Sequence, residues 1–502
     1  MSQIRKRSLK AATWIYLGFL IGALNTYLLT HKNWFEPNEY GLTQGLIQIG
    51  LLIFAFSTLG VPTFLYKFFP YYEDNIEQKK NDILSIALII SLIGFIITAV
   101  SVYLFQPLII QKFSKNSLLL VNYFYWTIPF GFFILLYNIL EAYAYGFHKG
   151  VLTSLLKETI LRLYTLIVVL LKVFDLISFH TFIILFCFQY AAISIILILH
   201  LHKEGKLWLS FKISRVTIKF RKKIFAIISL TYIVIIVGTL RGSIDALVLA
   251  SKINLEAVGI FGFAAYMVAL LQAPLRSIVA VTIPILARAW KQKDHHEISR
   301  IYKRSSINLL TFSLFVFFCI WLNYNQAIEY FAINPKYLEA RWVFFLLGIM
   351  SIVEMGTGVN GQIIATSSHW RFELWTSLLL TILIIPLSYL LTVRYGLIGP
   401  AIANLVSFSI YNFVRFWFLW KKFNMQPFSK KTVEVILIAV CIYAAVYFST
   451  ESIHGIGGLF IRTIAFSSLF LIFVYVRNIS PDLKPIINTA LKRLGYKNNM
   501  PE

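Results

Sequence analysis

The chain reads as an all-α polytopic membrane protein with about fourteen transmembrane helices, and three observations point there. It has 502 residues, of which 58% are hydrophobic and only 14% charged, with a mean hydropathy of +0.74. A soluble domain carries about a quarter of its residues as charges. Apolar runs long enough to cross the hydrocarbon, about 20 residues each, recur along the whole chain. The basic residues gather between those runs, where juxtamembrane anchors sit. The net charge of +24 is therefore spread over many loops, and no nucleic-acid partner is expected.

The expected spans are 9–30, 41–66, 83–105, 118–140, 153–174, 179–201, 224–250, 257–284, 306–323, 341–365, 373–393, 398–420, 433–450 and 459–477. Run length and internal backbone hydrogen bonding make them helices. The start, Arg5-Lys6-Arg7 and an apolar run from Leu9, resembles a signal peptide. It has no small-x-small cleavage site, so a retained first helix is expected. Short connections, Asp175 to Ser178 and Arg394 to Leu397, force antiparallel hairpins. Cys187, Cys319 and Cys441 lie inside spans with no partner at ligand or disulfide spacing, and they read as small core residues. No metal site and no cofactor are expected.

Lys and Arg asymmetry sets the orientation. With a cytoplasmic N-terminus, roughly 32 basic residues fall in cytoplasmic segments and about 8 outside. The clusters are Lys212 to Lys223, Arg288 to Arg304, and a tail with Lys484, Lys492 and Arg493. Both termini are expected in the cytoplasm of a multi-pass chain in the cytoplasmic (inner) membrane.

The basic stretch 203–223 separates two six-helix halves that look related. Gly22-Ala23-Leu24-Asn25 lines up with Gly238-Thr239-Leu240-Arg241, and Glu39-Tyr40-Gly41 with Glu256-Ala257-Val258-Gly259. Pro62 and Pro284 close the matching spans. The expected organisation is 1–210 for spans one to six, 211–425 for seven to twelve, and 426–502 for two further spans and a tail. Parallel repeats of this kind are a transporter architecture.

A charge at a helix centre costs about 2.5–3.5 kcal/mol on insertion scales, so each one needs a reason. Gly238, Arg241, Gly242 and Asp245 share a face of the seventh span. Gly262, Ala265, Ala269, Gln272 and Arg276 share one in the eighth, and Glu354, Thr357, Gly358 and Gly361 one in the tenth. Asn25, Gln44, Gln48, Asn138 and Glu141 are the polar positions of earlier spans, and Lys157, Glu158 and Arg162 open the fifth. Small residues on one face also suit helix packing, and Arg241 with Asp245 suits an i,i+4 pair. Lys157 and Arg162 suit snorkelling. Glu354 either pairs with an arginine across helices or takes up a proton or cation. A water-filled cavity accounts for Arg241 and Arg276, and guanidinium groups there suit a phosphate-bearing substrate. The expected substrate-binding residues are Arg241, Arg276, Asn25, Gln48 and Gln272; Asp245 and Glu354 are expected in ion coupling or charge pairing.

Several motifs carry a family resemblance: Asn38-Glu39-Tyr40-Gly41-Leu42, Gly60-Val61-Pro62, Ile253 to Phe261, Pro274-Leu275-Arg276-Ser277, Gly356-Thr357-Gly358-Val359-Asn360 and Tyr395 to Ala401. Their order resembles the polysaccharide (O-antigen and capsule-type) flippases of the multidrug/oligosaccharidyl-lipid/polysaccharide exporter superfamily. The resemblance implies two six-helix lobes around a central V-shaped cavity, with two extra C-terminal helices. It implies alternating-access transfer of a lipid-linked oligosaccharide, typically on undecaprenyl pyrophosphate, for lipopolysaccharide or other surface polysaccharides. Membrane lipids, and a polymerase or glycosyltransferases of the same pathway, would be partners. The lipid II flippase branch has arginines in its first two helices, whereas this chain has Asn25 in the first span and no basic residue deep in the first or second, which tilts the expectation away from lipid II.

Rival readings are a cation-coupled multidrug exporter of the same superfamily, and a membrane glycosyltransferase or polymerase. The external loops, near 106–117 and 324–340, are too short for the catalytic groups those enzymes present. No P-loop is present, and no enzymatic activity is expected.

Overall fold

The computed structural model describes residues 3–480 and Asp482, with side chains from Thr13 onward except Ile15 and Tyr16. Lys484, Lys492 and Arg493, and the side chains of Arg5, Lys6 and Arg7, lie outside the described residues. Every element among the described residues is helical apart from turns and two isolated bridge residues, His31 and Ile333. The chain divides into two compact units, 1–262 and 263–502.

The first unit begins with α1 (Gln3–Thr30) and α2 (Pro37–Ser57). Pro37 in the first turn and a reciprocal Glu36–Glu39 capping box start α2, satisfying donors that a helix start leaves bare. The span expected over 41–66 is broken. Leu59 and Gly60 are left-handed (φ 45° and 78°), and α3 (Val61–Asn75) restarts with Pro62 in its first turn. Pro62 thus opens a helix rather than closing one, because proline fits where no amide donor is needed. A Cβ on Gly60 would collide with the Ile228 carbonyl, so the turn requires glycine twice over.

Next come α4 (Ile83–Ser114), α5 (Leu118–Tyr123), α6 (Thr127–Gly146) and α7 (Gly150–Ser154). A π-helical segment over Leu155–Ile160 leads into α8 (Leu161–Val173). The hairpin turn at Asp175 (φ 53°) precedes α9 (Phe179–Cys187) and α10 (Gln189–Lys203). Phe64, Phe68, Tyr72, Tyr137, Tyr143 and Leu197 anchor the core shared by α3, α6 and α10.

The basic stretch 203–223 leads into α11 (Arg215–Lys252). Buried Asp82 accepts from the Ser214 amide and the Thr217 hydroxyl, both at 2.8 Å. Thr217 also meets the Tyr72 hydroxyl at 2.7 Å. At about 1.5 Å per residue, 38 residues outreach the hydrocarbon, so one end of α11 carries Arg215 to Lys223 beyond it. α12 (Leu255–Leu271) contains the boundary between the units.

The second unit continues with α13 (Ala273–Gln292), α14 (His295–Tyr330), α15 (Ala340–Gly356) and α16 (Asn360–Thr366). After them run α17 (Trp370–Tyr395), α18 (Gly399–Phe423), α19 (Lys430–Ser449) and α20 (Gly455–Val476). α17 and α18 pack along each other through the left-handed Gly396 (φ 61°). Pro284 lies inside α13; the break in the expected eighth span falls at Gln272, ahead of Pro274. Leu286, Tyr302, Val359, Ile363 and Leu419 form a core of α13, α14, α16 and α18.

Ten helical stretches among the described residues are long and apolar enough to cross a membrane, or eleven if α15 and α16, bent by 46°, form one span. One stretch, Trp370–Phe423, holds both α17 and α18, and Leu17–Thr30 and Leu255–Leu271 are shorter apolar helices. The sequence-based spans are continuous where the helices break, at Gly60, Gln272 and Gly358. Cys187 is buried as expected, whereas Cys441 is exposed because α19 packs by one side against α14 and α20.

Candidate functional site

Along α11 the polar face is open. A Cβ built on Gly238 or Gly242 meets no atom within 4 Å, so these glycines do not seat a neighbouring backbone. Arg241 and Asp245 are half-buried on the same face. Next to it Ser243, buried, donates to Gln48 Oε1 at 2.9 Å. Gln44, one turn away on α2, lies against Gly262 of α12. The polar side of α2 therefore faces α11 and α12.

The openings of the two matched spans meet each other in the first unit. A Cβ on Gly41 would collide with the Leu255 carbonyl, and one on Gly259 would lie 2.6 Å from the Pro37 carbonyl oxygen. Glycine is demanded at both by close backbone approach.

Asn25 is placed differently from Arg241, with which the sequence aligns it. It is 6% exposed, and its Nδ2 donates to the Arg162 carbonyl at 2.8 Å. Thr159 donates to the Trp14 carbonyl at 2.8 Å, and Gly18 allows α1 to approach the Glu158 carbonyl. The π-helical segment and the first turn of α8 carry the charges met by this seam. Lys157 pairs with Glu141 at 3.0 Å and Arg162 with Glu158 at 3.1 Å, and the Arg162 guanidinium lies 5.1 Å from the Phe19 ring centre. Lys157 and Arg162 thus meet carboxylates, where snorkelling alone would leave them in water. π segments frequently mark functional positions, and no periodicity in the sequence announces one.

In the second unit the structure brings two expected site residues together. Gln272 Nε2 donates to Glu354 Oε2 at 3.1 Å, across the breaks that follow α12 and α15. Arg276 is exposed on the first turn of α13.

Behind Glu354 runs a polar network that sequence reasoning missed. Arg415, 7% exposed, pairs with Glu373 and stacks 3.7 Å from the centre of the Tyr411 ring. Its guanidinium also approaches Thr376 Oγ1 at 3.4 Å and Asn360 Oδ1 at 3.5 Å. Asn412 Oδ1 accepts from Asn360 at 3.1 Å and lies 3.0 Å from Thr357 Oγ1. Glu373 and Arg415 stand near the same end of the two expected spans of a hairpin, a pairing that was available as a signal. The network sits where Gly358 (φ 60°) breaks the helix, so freed backbone groups and side chains satisfy one another.

The chain has the fold of a known class of transporters. It matches the lipid II flippase MurJ in an inward closed conformation, with a TM-score of 0.74, 15% identity, and coverage of 93% of this chain and 98% of that one. An inward-facing multidrug resistance MATE family transporter of the MOP superfamily matches with a TM-score of 0.56 and 14% identity, over 84% of this chain and 95% of that one. A MOP superfamily transporter from Pyrococcus furiosus, whose binding pocket is described as of reverse polarity, gives 0.55 and 13% over the same shares. No family model matches. Two uncharacterized membrane proteins of Methanocaldococcus jannaschii are similar in sequence. One is 22% identical over 97% of this chain and 99% of its own length, the other 24% over 73% and 86%. The protein is thus a multi-pass, all-helical membrane protein of this fold.

Proposed function

We propose that the chain is a transporter, not an enzyme, which flips a lipid-linked oligosaccharide across the cytoplasmic membrane by alternating access. An undecaprenyl-pyrophosphate carrier suits it, and the product would enter lipopolysaccharide, O-antigen or another surface polysaccharide. The observation that carries this reading is the open α11 face, where Arg241 stands between two glycines at which an added Cβ would meet no atom within 4 Å. A half-buried guanidinium on such a face can take phosphate oxygens in a bidentate grip, and exposed Arg276 offers a second. The breaks before Pro62, before Pro274 and at Gly358 support it, since discontinuous helices build transporter sites. In this reading the repeats 1–210 and 211–425 are the moving halves, residues 426–502 are additional, and both termini are cytoplasmic. Glu354, held by Gln272, is the group for coupling or charge pairing, with Asp245.

The cation-coupled multidrug exporter is the competing reading, and Glu354 is what favours it. Proteoliposomes separate the two. Wild-type protein should move a fluorescent undecaprenyl-pyrophosphate oligosaccharide between leaflets, and Arg241→Gln with Arg276→Gln should abolish this at unchanged expression and melting temperature. Full flipping by the double variant, or transport of lipophilic cations alone, overturns the proposal.

A further inference from the structure

The second unit carries a basic hollow that the transport reading does not use. On α14, His296, Arg300, Lys303, Arg304 and Ile307 recur at helical spacing along one face. They line a hollow of about 530 Å³ together with Lys431 at the start of α19 and Ile479 after α20. Among the described residues, four cations line it and no carboxylate does. Arg300 is paired with Glu297 at 3.2 Å, and Arg304 with Asp482. Both carboxylates line the adjoining groove instead, so the hollow retains an excess of two positive charges (four cations less two carboxylates). Its floor is apolar, with Ile307 and Ile479 buried.

The adjoining groove, about 440 Å³, shares Arg300 and Arg304 with the hollow and runs up α13 over Ile278, Val281 and Ile285. Val281 is 64% and Ile285 42% exposed. A cationic hollow joined to an exposed aliphatic groove is amphipathic in the same sense as a phospholipid. Basic pockets at the ends of membrane helices hold anionic headgroups, and a free phosphate has no use for the groove.

We propose that this pair of hollows binds an acidic glycerophospholipid, its phosphate held by Arg300, Lys303 and Lys431 and an acyl chain laid along Val281 and Ile285. Arg304 positions the site through Asp482, which also accepts from Asn308. The basic hollow lies beyond the end of α13 opposite to Arg276, while the groove runs back along α13 to Ser277; the proposal stands whether or not the chain is a flippase.

The test uses the full chain in phosphatidylcholine nanodiscs with and without phosphatidylglycerol, read by native mass spectrometry of retained lipid and by melting temperature. Phosphatidylglycerol should be retained and should raise the melting point, and Arg300→Gln/Lys303→Gln/Lys431→Gln should weaken retention about a hundredfold. These side chains are exposed, so the variant should fold; Val281→Ser/Ile285→Ser is the second variant, expected to lose retention with the charges intact. Arg221→Gln/Lys222→Gln on exposed α11 positions is the control. Equal retention of phosphatidylcholine, equal loss in the control, or equal stabilisation by inorganic phosphate would each overturn the proposal, the last indicating a free-anion site.

Discussion

Gly22-Ala23-Leu24-Asn25 on α1 and Gly238-Thr239-Leu240-Arg241 on α11 line up as similar stretches of sequence, yet they have opposite surroundings. On α1, Gly22 and Asn25 are buried, and the Asn25 amide is engaged by the Arg162 carbonyl. On α11, Gly238 is exposed and Arg241 half-buried on a face where added atoms meet nothing. Inside the seam the Asn25 Nδ2 is taken up by the backbone carbonyl it satisfies. The same position on an open face keeps its hydrogen-bonding capacity for something that arrives. Arg415 extends the lesson, because a guanidinium fully engaged by Glu373 and the Tyr411 ring belongs to the architecture.

The widest gap expected from this contrast is between the two arginines. Arg415→Ala leaves Glu373 without its partner in a mostly buried site, which costs about 3–5 kcal/mol. It should lower the melting temperature in detergent and the yield sharply, while Arg241→Ala should melt like wild type. Equal melting of the two variants would remove the distinction between an architectural arginine and an available one.

The glycines give a smaller effect. Gly18→Ala drives a methyl into the Glu158 carbonyl, and overpacking of this kind costs about 1–3 kcal/mol. Gly238→Ala meets open space and should be neutral, or stabilising by about 0.5–1 kcal/mol through helix propensity. Thermal unfolding of the two variants side by side checks the order, and a destabilised Gly238→Ala would mean that something does pack on the α11 face.

Smallest is Asn25→Ala, which removes one hydrogen bond worth about 0.5–1.5 kcal/mol. Its melting point should fall slightly and its transport should persist. Loss of transport at unchanged stability would support the sequence reading, which placed Asn25 in the substrate-binding set.

Much of the helical framework was legible beforehand because its signals are local. Apolar run length, clustered Lys and Arg, and the short turns at Asp175 and Gly396 need no knowledge of neighbours. The breaks were partly legible: Pro62 and Pro274 were visible, but proline is compatible with either end of a helix, and only the left-handed Leu59–Gly60 pair shows which. The π-helical segment at 155–160 leaves no periodic trace. Gln272 and Glu354 were singled out separately, but nothing in their spacing, 82 residues apart, joins them. Arg415 escaped because a charge near the end of a predicted span looks like an interfacial anchor.

The sequence by itself determined that this chain is a membrane-spanning helical protein, since transfer of apolar side chains into hydrocarbon is a sum over residues and does not depend on contacts. Only the tertiary structure decided which polar groups are used up and which are on offer. That choice is made by the neighbour each side chain meets: a carbonyl for Asn25, a carboxylate and a ring for Arg415, and an open face for Arg241.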